Sequence, residues 1–454
     1  MHKRPNFVFI MSDDHAAHAV SAYGSVLNTT PNIDRIAAEG MLLSNVFCTN
    51  SICTPSRASI LTGNYSHINQ VRRLRDTLDQ TQPTVDKELQ RSGYQTAIVG
   101  KWHLGHGKGS DPAGFDYWCV LPDQGEYYNP TMLEMGQEVN INGYVTNIIT
   151  DRSLAWLDRR DREQPFCLMI HHKAPHRPWR PDIKHAEMYD DIELPYPLTF
   201  NDDYSTRASA ASKATMRILE DIVDNDTKGP PPEGLTESET KEWKYQRFLK
   251  DYLRCVASID DNVGRVLDYL EQNDLVENTV VIYTSDQGFF LGDHGWYDKR
   301  FFYEESLRMP FLIRYPPEIA PGSISDRMVL NIDFPVLLLD YAGVTAPPMQ
   351  GRSFRSVLAG SPPEDWRTAM YYRYFDYPGD CNNYAHFGLR TERYKLIMYY
   401  EPGPIEWELF DLNDDPQELL NLHGHPDYQE LEAGLRSQLD RMRRDLGERD
   451  WLLG

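Results

Sequence analysis

Cys53-Thr54-Pro55-Ser56-Arg57 opens a stretch whose residue types and order can do chemistry. Proline and small polar residues followed by Ala58-Ser59-Ile60-Leu61 predict a helix start. The first turn of a helix presents free backbone N–H groups, which suits an anion. Arg57 adds a planar, permanently charged fork for sulfate or phosphate oxygens. On this reading alone, Cys53 is a thiol at a helix N-terminus, where a lowered pKa makes a nucleophile. A second set is made of oxygen donors: Asp13, Asp14, Asp286 and Gln287. Hard cations such as Ca2+ or Mg2+ take such ligands, whereas zinc prefers histidine and cysteine. Lys101, His103, His171, His172 and His176 supply proton donors and acceptors.

These residues share a position in the pattern. Phe7–Met11 runs into Ser12-Asp13-Asp14, and Thr96–Gly100 into Lys101-Trp102-His103. Phe166–Ile170 runs into His171-His172-Lys173-Ala174-Pro175-His176, and Val280–Thr284 into Ser285-Asp286-Gln287-Gly288. Each run is short and mostly β-branched or aromatic, as a strand covered on both faces requires. Open α/β sheets bind ligands beyond the carboxyl ends of their strands, so the four ends predict one crevice.

Helical patterns lie between the runs. Pro31–Glu39 starts with proline in the first turn, and Thr84–Ser92 stops before Gly93. After Gly229-Pro230-Pro231-Pro232, Thr236 and Glu239 fit a capping box. Phe248, Tyr252, Val256, Ile259, Val263, Val266 and Leu270 then share one helical face up to Asn273. The expected fold class is α/β: a large, mainly parallel sheet flanked by helices. Ser361-Pro362-Pro363-Glu364 marks a boundary between a main domain, 1–363, and a small α+β domain, 364–454. In the latter, Thr368–Tyr374, Tyr394–Tyr400 and Trp407–Leu412 read as antiparallel strands and Tyr428–Asp445 as a terminal helix. Tyr189–Asp224 is polar and weakly periodic, and reads as a surface insertion.

Composition narrows the partners. The 454 residues carry 68 acidic and 46 basic side chains, a net charge of −22. That excludes a general nucleic-acid binder and gives anionic lipids no basic surface. No run approaches the ~20 apolar residues of a membrane span. The N-terminal apolar run is too short for a secretory leader, which predicts a cytoplasmic protein. A periplasmic or secreted chain whose leader has been removed reads the same. Six cysteines contain no Cys-x-x-Cys pair. Cys167 and Cys255 read as small buried apolar groups, and a Cys48–Cys53 disulfide is disfavoured in a reducing compartment.

The Cys-x-Pro-Ser-Arg segment followed by Leu61-Thr62-Gly63 resembles the maturation signature of the formylglycine-dependent type I sulfatases of the alkaline phosphatase superfamily. Asn6–Asp14, Thr30–Asp34, Gly100–Gly105, Lys173–Pro178 and Ser285–Lys299 are similar to family segments, in family order. The resemblance implies a sulfatase in which Cys53 is oxidised to Cα-formylglycine by a formylglycine-generating enzyme. The mature nucleophile is then an aldehyde hydrate, not a thiolate. One hydroxyl attacks sulfur, and deprotonating the other expels sulfate and restores the aldehyde; a serine would be left as a stable ester.

The resemblance also implies roles. Asp13, Asp14, Asp286 and Gln287 bind calcium, with Mg2+ or Mn2+ as alternatives, and Cys53 faces the metal. Arg57, Lys101 and Lys299 stabilise the transferring group, His103 is the base that releases sulfate, and His176 is the acid for the leaving oxygen. Gln287 leans away from related phosphonate monoester and phosphodiester hydrolases, which tend to carry histidine there.

Lys173–Trp179 and Trp296–Ser306 are similar to polysaccharide-active and N-acetylglucosamine-6-sulfatase-like members, which implies a sulfated saccharide as substrate. Trp118, Trp179 and Trp296 are candidate sugar platforms, with core packing as the alternative. His172, and His386 with Arg390 on one face of a strand-like piece in the small domain, are further substrate candidates. The competing readings are an arylsulfatase or phosphonate monoester/phosphodiester hydrolase, and a non-catalytic sulfoglycan binder. The net charge favours a small saccharide or chain end over the interior of a densely sulfated polymer. The oligomeric state is not encoded in these features.

Overall fold

The four apolar runs that lead into polar residues lie side by side. The computed structural model describes residues 4–107 and 109–448. Its first half comprises β1 (Asn6–Ser12), α1 (Pro31–Ala38), β2 (Met41–Leu43), α2 (Cys53–Thr62), α3 (Val85–Arg91), β3 (Gln95–Lys101), β4 (Tyr117–Leu121), β5 (Thr131–Glu134), β6 (Gln137–Asn140), α4 (Val145–Arg159) and β7 (Phe166–His171). The chain continues through α5 (Glu237–Gln272), β8 (Thr279–Ser285), β9 (Phe311–Arg314) and β10 (Ser323–Ser325). Among the described residues the main sheet has ten strands, in the order β10-β2-β9-β8-β1-β7-β3-β4-β5-β6. The central run β8-β1-β7-β3-β4 is parallel, while β9 and β5 attach antiparallel to its flanks.

Every residue of β1 and β8 is buried, so each strand must be apolar on both faces. Fully burying each large apolar side chain contributes about 1.5–3 kcal/mol. Register then aligns the strand ends: Ser12 lies beside Ser285, Met11 beside His171, and Gly100 beside His171. Gly100 has φ +111°, and a Cβ there would sit 1.9 Å from the His171 carbonyl oxygen. Only glycine lets β3 approach β7 at this point.

The long helix forms as its signals predict. Thr236 and Glu239 make the reciprocal capping box, and α5 runs 36 residues to Asn273. Its buried face carries Phe248, Tyr252, Val256, Ile259, Val263 and Leu270. The Tyr252 hydroxyl donates to the Asp14 carbonyl (2.7 Å) and accepts from Ala16 N–H (2.9 Å). The helix thereby braces Asp14, whose φ of 66° is unusual for a non-glycine residue. Among the described residues no helix is long and apolar enough to cross a membrane.

The small sheet contains β11 (Ala369–Tyr374), β12 (Ala385–Thr391), β13 (Tyr394–Glu401) and β14 (Glu406–Asp411), all antiparallel neighbours in chain order, followed by α6 (Gln429–Asp445). Met370, Leu389 and Ile397 belong to the same continuous core as Phe7 and Phe9. Segment 361–364 therefore separates two sheets but not two cores. The stretch 189–224 is not simply a surface insertion. Ala210, Ala211, Ala214 and Met216 are buried in that shared core. Its backbone is stitched to the site loops by Tyr297 N–H to Met216 O (2.9 Å) and Thr215 N–H to Cys381 O (2.8 Å). Its small alanines pack closely without producing a strong apolar period.

Candidate active site

The ends of β8, β1, β7 and β3, four consecutive neighbours, deliver Asp286, Asp13, the 171–176 segment and Lys101 to one place. Helix α2 points its first turn at the same place. All ten of its residues are buried and no side chain caps its N-terminus, so its first N–H groups remain available to a ligand. It ends at Gly63, in the left-handed region, whose N–H bonds the Ser59 carbonyl (2.9 Å).

Charges of both signs interlock around Cys53. Arg57 Nε donates to Asp286 Oδ2 (3.0 Å) and Nη1 to the Lys101 carbonyl (2.8 Å), leaving buried Nη2 without a hydrogen-bond partner. Lys101 Nζ donates to Asp13 and to Gln124 Oε1 (2.6 Å). Lys299 Nζ lies 2.6 Å from Asp14 Oδ1. Cys53 Sγ is 3.5 Å from Asp13 Oδ1. Burial alone would raise the Asp13 carboxyl, but Lys101, His176 and Arg57 hold it well below the usual range. Burial pushes Asp14 up to about 7, with Lys299 opposing and Asp13 and Asp286 adding to the rise. Asp286 is pushed up to about 6 by burial and by Asp13.

These carboxylates fit a divalent cation. Oxygen atoms of Asp13, Asp14 and Asp286 lie within 4.8 Å of one another. Gln287 donates its amide N–H to Asp14, and its buried Oε1 has no partner. Three carboxylates, two of which resist ionisation together, and an orphaned amide oxygen form a hard, cation-deficient donor set. Asp13, Cys53 and His176 also cluster. A softer metal bound there would need a thiolate, and the thiol is the wrong way round for that. Burial and then Asp13 push the Cys53 thiol far up. The expectation of a lowered thiol pKa at the helix N-terminus is thus overturned, because desolvation and neighbouring carboxylates outweigh the helix end.

The two histidines expected to move protons flank Cys53. His176 Nδ1 lies 2.7 Å from the Arg177 carbonyl, which only accepts, so Nδ1 carries the proton and Nε2 is left 3.7 Å from Asp14 Oδ2. His103 touches the Thr54 hydroxyl through Nδ1 (3.4 Å) and Asp123 through Nε2 (3.4 Å). Burial and then Lys101 lower its pKa to about 4.

A cavity of about 350 Å3 opens over these groups, lined by Cys53, Gln124, His176, Arg177, Lys299 and residues given no individual site role in the sequence: Thr215, Asp221, Asp298, Arg300, Asp380 and Cys381. Asp298 (φ 82°) and Arg300 (φ 92°) adopt left-handed backbone conformations, and this lets three successive side chains, 298 to 300, face one cavity. Asp298 Oδ2 meets Arg300 Nη2 at 3.6 Å, while Nε and Nη1 of Arg300 are buried without partners. A second cavity of about 530 Å3 adjoins on the His103 side and shares Leu74, Gln124 and Asp380.

The remaining substrate candidates are packing residues. Trp118 is buried on β4. Trp179 packs on Phe248, Phe289 and Tyr297, and Trp296 is stacked between Tyr204 and Phe301; both are wholly buried. His386 is wholly buried among Tyr372, Tyr374, Tyr399 and Phe301, with Nδ1 on the Tyr384 carbonyl. Arg390 is bound to Glu304. None of the five borders either cavity, because their surfaces are used in packing within the core and against neighbouring elements. His172 is also buried and away from both cavities. Its neighbour His171, on the opposite face of the strand, instead sits 3.3 Å from the Lys101 carbonyl that Arg57 also bonds. The six cysteines are free and buried, so Cys48 and Cys53 are not joined.

Comparison with known proteins places this arrangement. The sulfatase family model matches residues 5–344, and the model for the C-terminal part of N-sulphoglucosamine sulphohydrolase matches residues 292–445. An N-acetylglucosamine-6-O-sulfatase of Bacteroides thetaiotaomicron is 40% identical, over 99% of this chain and 88% of the relative. The N-acetylglucosamine-6-sulfatase of Capra hircus is 28% identical over 92% and 80% of the two chains. A solved structure of a protein in complex with its substrate D-glucosamine-2-N,6-O-disulfate superposes with a TM-score of 0.95, at 40% identity and 99% coverage of both chains. A phosphonate monoester hydrolase from Silicibacter pomeroyi superposes at 0.80 with 22% identity over 97% and 95%, a likeness of fold alone.

Proposed function

The chain belongs to the sulfatase family and hydrolyses sulfate esters, and from that premise we propose that its substrate is a 6-O-sulfated N-acetylglucosamine or a closely related sulfated glucosamine. The observation that carries the reading is the convergence of three carboxylates and three cationic side chains on Cys53 beneath a cavity of monosaccharide size. The substrate class follows from the 40% identical relative.

Asp13, Asp14, Asp286 and Gln287 would hold Ca2+, with Mg2+ or Mn2+ as alternatives, and the ion when bound supplies a Lewis acid for a sulfate oxygen. Residue 53, once converted to formylglycine by its generating enzyme and hydrated, supplies the attacking hydroxyl and a second hydroxyl for product release. The chain's own side chains do the rest. Lys101, Lys299 and Arg57 surround the transferring group with fixed positive charge, and their order is preset by the carboxylates they already bond. His176 has its Nδ1 proton committed to a carbonyl, so Nε2 is the atom that carries a proton to the leaving oxygen. Burial holds His176 neutral in the free protein, and an anionic sulfate beside it favours its charged form. His103, neutral for the same reason, takes a proton at the end of the cycle. In the cavity wall, the Arg300 guanidinium, with Nη2 3.6 Å from Asp298, offers donors and Asp298 an acceptor, a pattern suited to adjacent sugar hydroxyls.

Sulfate release from regiodefined sulfated monosaccharides tests the reading directly. The expected result is the highest kcat/KM on 6-O-sulfated N-acetylglucosamine or glucosamine. Higher kcat/KM on a phosphonate monoester, or on an aryl sulfate, would overturn it.

A further inference from the structure

The segment Val71-Arg72-Arg73-Leu74-Arg75-Asp76 places three arginines in four positions of an acidic protein, at the rim of the site. It is held rigidly. The Thr54 hydroxyl, next to Cys53, donates to the Leu74 carbonyl (2.8 Å), and Leu74 N–H donates to Asp376 Oδ2 (3.2 Å). Asp76, which also borders the second cavity, accepts from Arg72 N–H (2.8 Å) and Arg73 N–H (2.9 Å) through one oxygen and so fixes the turn. Leu74 borders both cavities, and Arg75 lines the second.

The guanidinium groups of this rigid turn are largely unclaimed. Arg73 is exposed and forms no ion pair among the described residues. Arg75 is 90% exposed and only 3.8 Å from Asp380, which is itself half exposed. Such a pair contributes little to stability. Asp123, across the second cavity, is engaged with His103. A fixed backbone carrying exposed, weakly paired arginines beside an anion-processing cavity has no folding role to account for it. The second cavity, about 530 Å3, has room for a further sugar.

We propose that Arg75, on the wall of the second cavity, with Arg73 beside it on the same turn, forms a second anion subsite, which binds a sulfate or carboxylate on the sugar attached to the one being desulfated. The inference rests on the reading of the first cavity as a sulfated-saccharide site. Guanidinium groups suit both anions, through paired N–H donors. Their field also offsets the repulsion that the net −22 charge exerts on an approaching polyanion.

The test compares kcat/KM on 6-O-sulfated N-acetylglucosamine alone, and joined to a neutral sugar, a uronate or a sulfated sugar. The wild-type enzyme should prefer one or both charged disaccharides over the neutral one. R73A/R75A should lower kcat/KM on the preferred charged disaccharide by about tenfold at low ionic strength. It should leave the monosaccharide and the neutral disaccharide within about twofold, since neither variant position contacts the reacting group. R73K/R75K, which keeps the charge, should recover most of the loss. The uronate and sulfate arms show which anion is taken. Equal loss on all substrates, or no wild-type preference for either anion, overturns the subsite while leaving the sulfatase reading intact. No release from any of them overturns that reading, and the subsite with it.

Discussion

Two buried ion pairs stand six residues apart on one stretch of chain. Asp298 and Arg300 meet at a single 3.6 Å contact, and two nitrogens of Arg300 have no partner. Glu304, by contrast, takes parallel bonds from Arg390 Nε (2.8 Å) and Nη2 (3.0 Å), and a third from Arg308 (2.6 Å), with Lys395 at 3.0 Å. Burial would raise the Glu304 carboxyl, but Arg390, Lys395 and Arg308 hold it well below its usual range. Asp298, Arg300, Arg390 and Lys395 are buried, and Glu304 is partly buried. What separates the pairs is position: Asp298 and Arg300 line the cavity, and Glu304, Arg390 and Lys395 do not. The closed pair ties β12 and β13 of the small sheet to the loop that carries Lys299. The open pair faces a cavity and waits for a ligand. A place on the cavity wall, rather than an unused donor, marks function here, since buried Trp179, Trp296 and His386 also carry nitrogens without a hydrogen-bond partner.

The comparison can be broken in four places. The largest effect belongs to the open centre: Cys53→Ala should abolish sulfate release, by on the order of 10^4-fold or more, with the thermal midpoint nearly unchanged. Turnover near wild type would remove residue 53 from the chemistry. On the closed side, Glu304→Ala leaves buried Arg390 without its acid, while Lys395 keeps Glu418 (2.6 Å), and should cost about 3–5 kcal/mol of stability in denaturant unfolding. The folded fraction should keep its kcat. A loss of kcat/KM at unchanged stability would place Glu304 in the site. Arg300→Ala removes charged hydrogen bonds worth about 1.5–3 kcal/mol to a sugar, or about ten- to a hundredfold in kcat/KM, while Lys299 and Arg177, which stay beside Asp298, keep the loss of stability below that of Glu304→Ala. The reverse pattern would make Asp298–Arg300 a second structural pair.

The smallest expected effect concerns His386, which burial holds at about 4. The unfolded chain takes up that proton first, near 6.5, so the residue's contribution to stability is complete above about pH 6.5 and falls away as pH drops toward 4. His386→Phe should make the acid limb of the stability curve shallower by at most ~1.4 kcal/mol per pH unit. KM should not move. A raised KM would return His386 to the substrate wall.

Much of the catalytic centre was legible before any coordinates. Asp13, Lys101, His176 and Asp286 follow apolar runs that form strands, and strands that alternate with helices make a parallel sheet with its ligands at one end. Local pattern and register suffice for that, because a strand end is defined by the chain on either side of it. The capping box at Thr236 and the face of α5 were legible for the same reason. The pocket wall was not. Trp118, Trp179, Trp296 and His386 are as suitable chemically for sugar binding as for packing, and only their neighbours from distant segments assign them to the core. Asp298 and Arg300 lay in the family-like stretch Trp296–Ser306 without being assigned to the site, since alternation predicts that successive side chains point apart; the left-handed backbone at both residues defeats that rule.

What the amino-acid sequence determined by itself was the inventory of chemistry, the order of the elements and the end of the sheet at which they meet, because these depend on apolar periodicity and on residues close in the chain. Tertiary structure alone decided which polar groups remain unsatisfied. The thiol of Cys53 rises and the carboxyls of Asp14 and Asp286 resist ionisation only once burial and each other's fields are imposed. Desolvation and Coulomb interaction depend on distance in space, and no spacing along the chain encodes them.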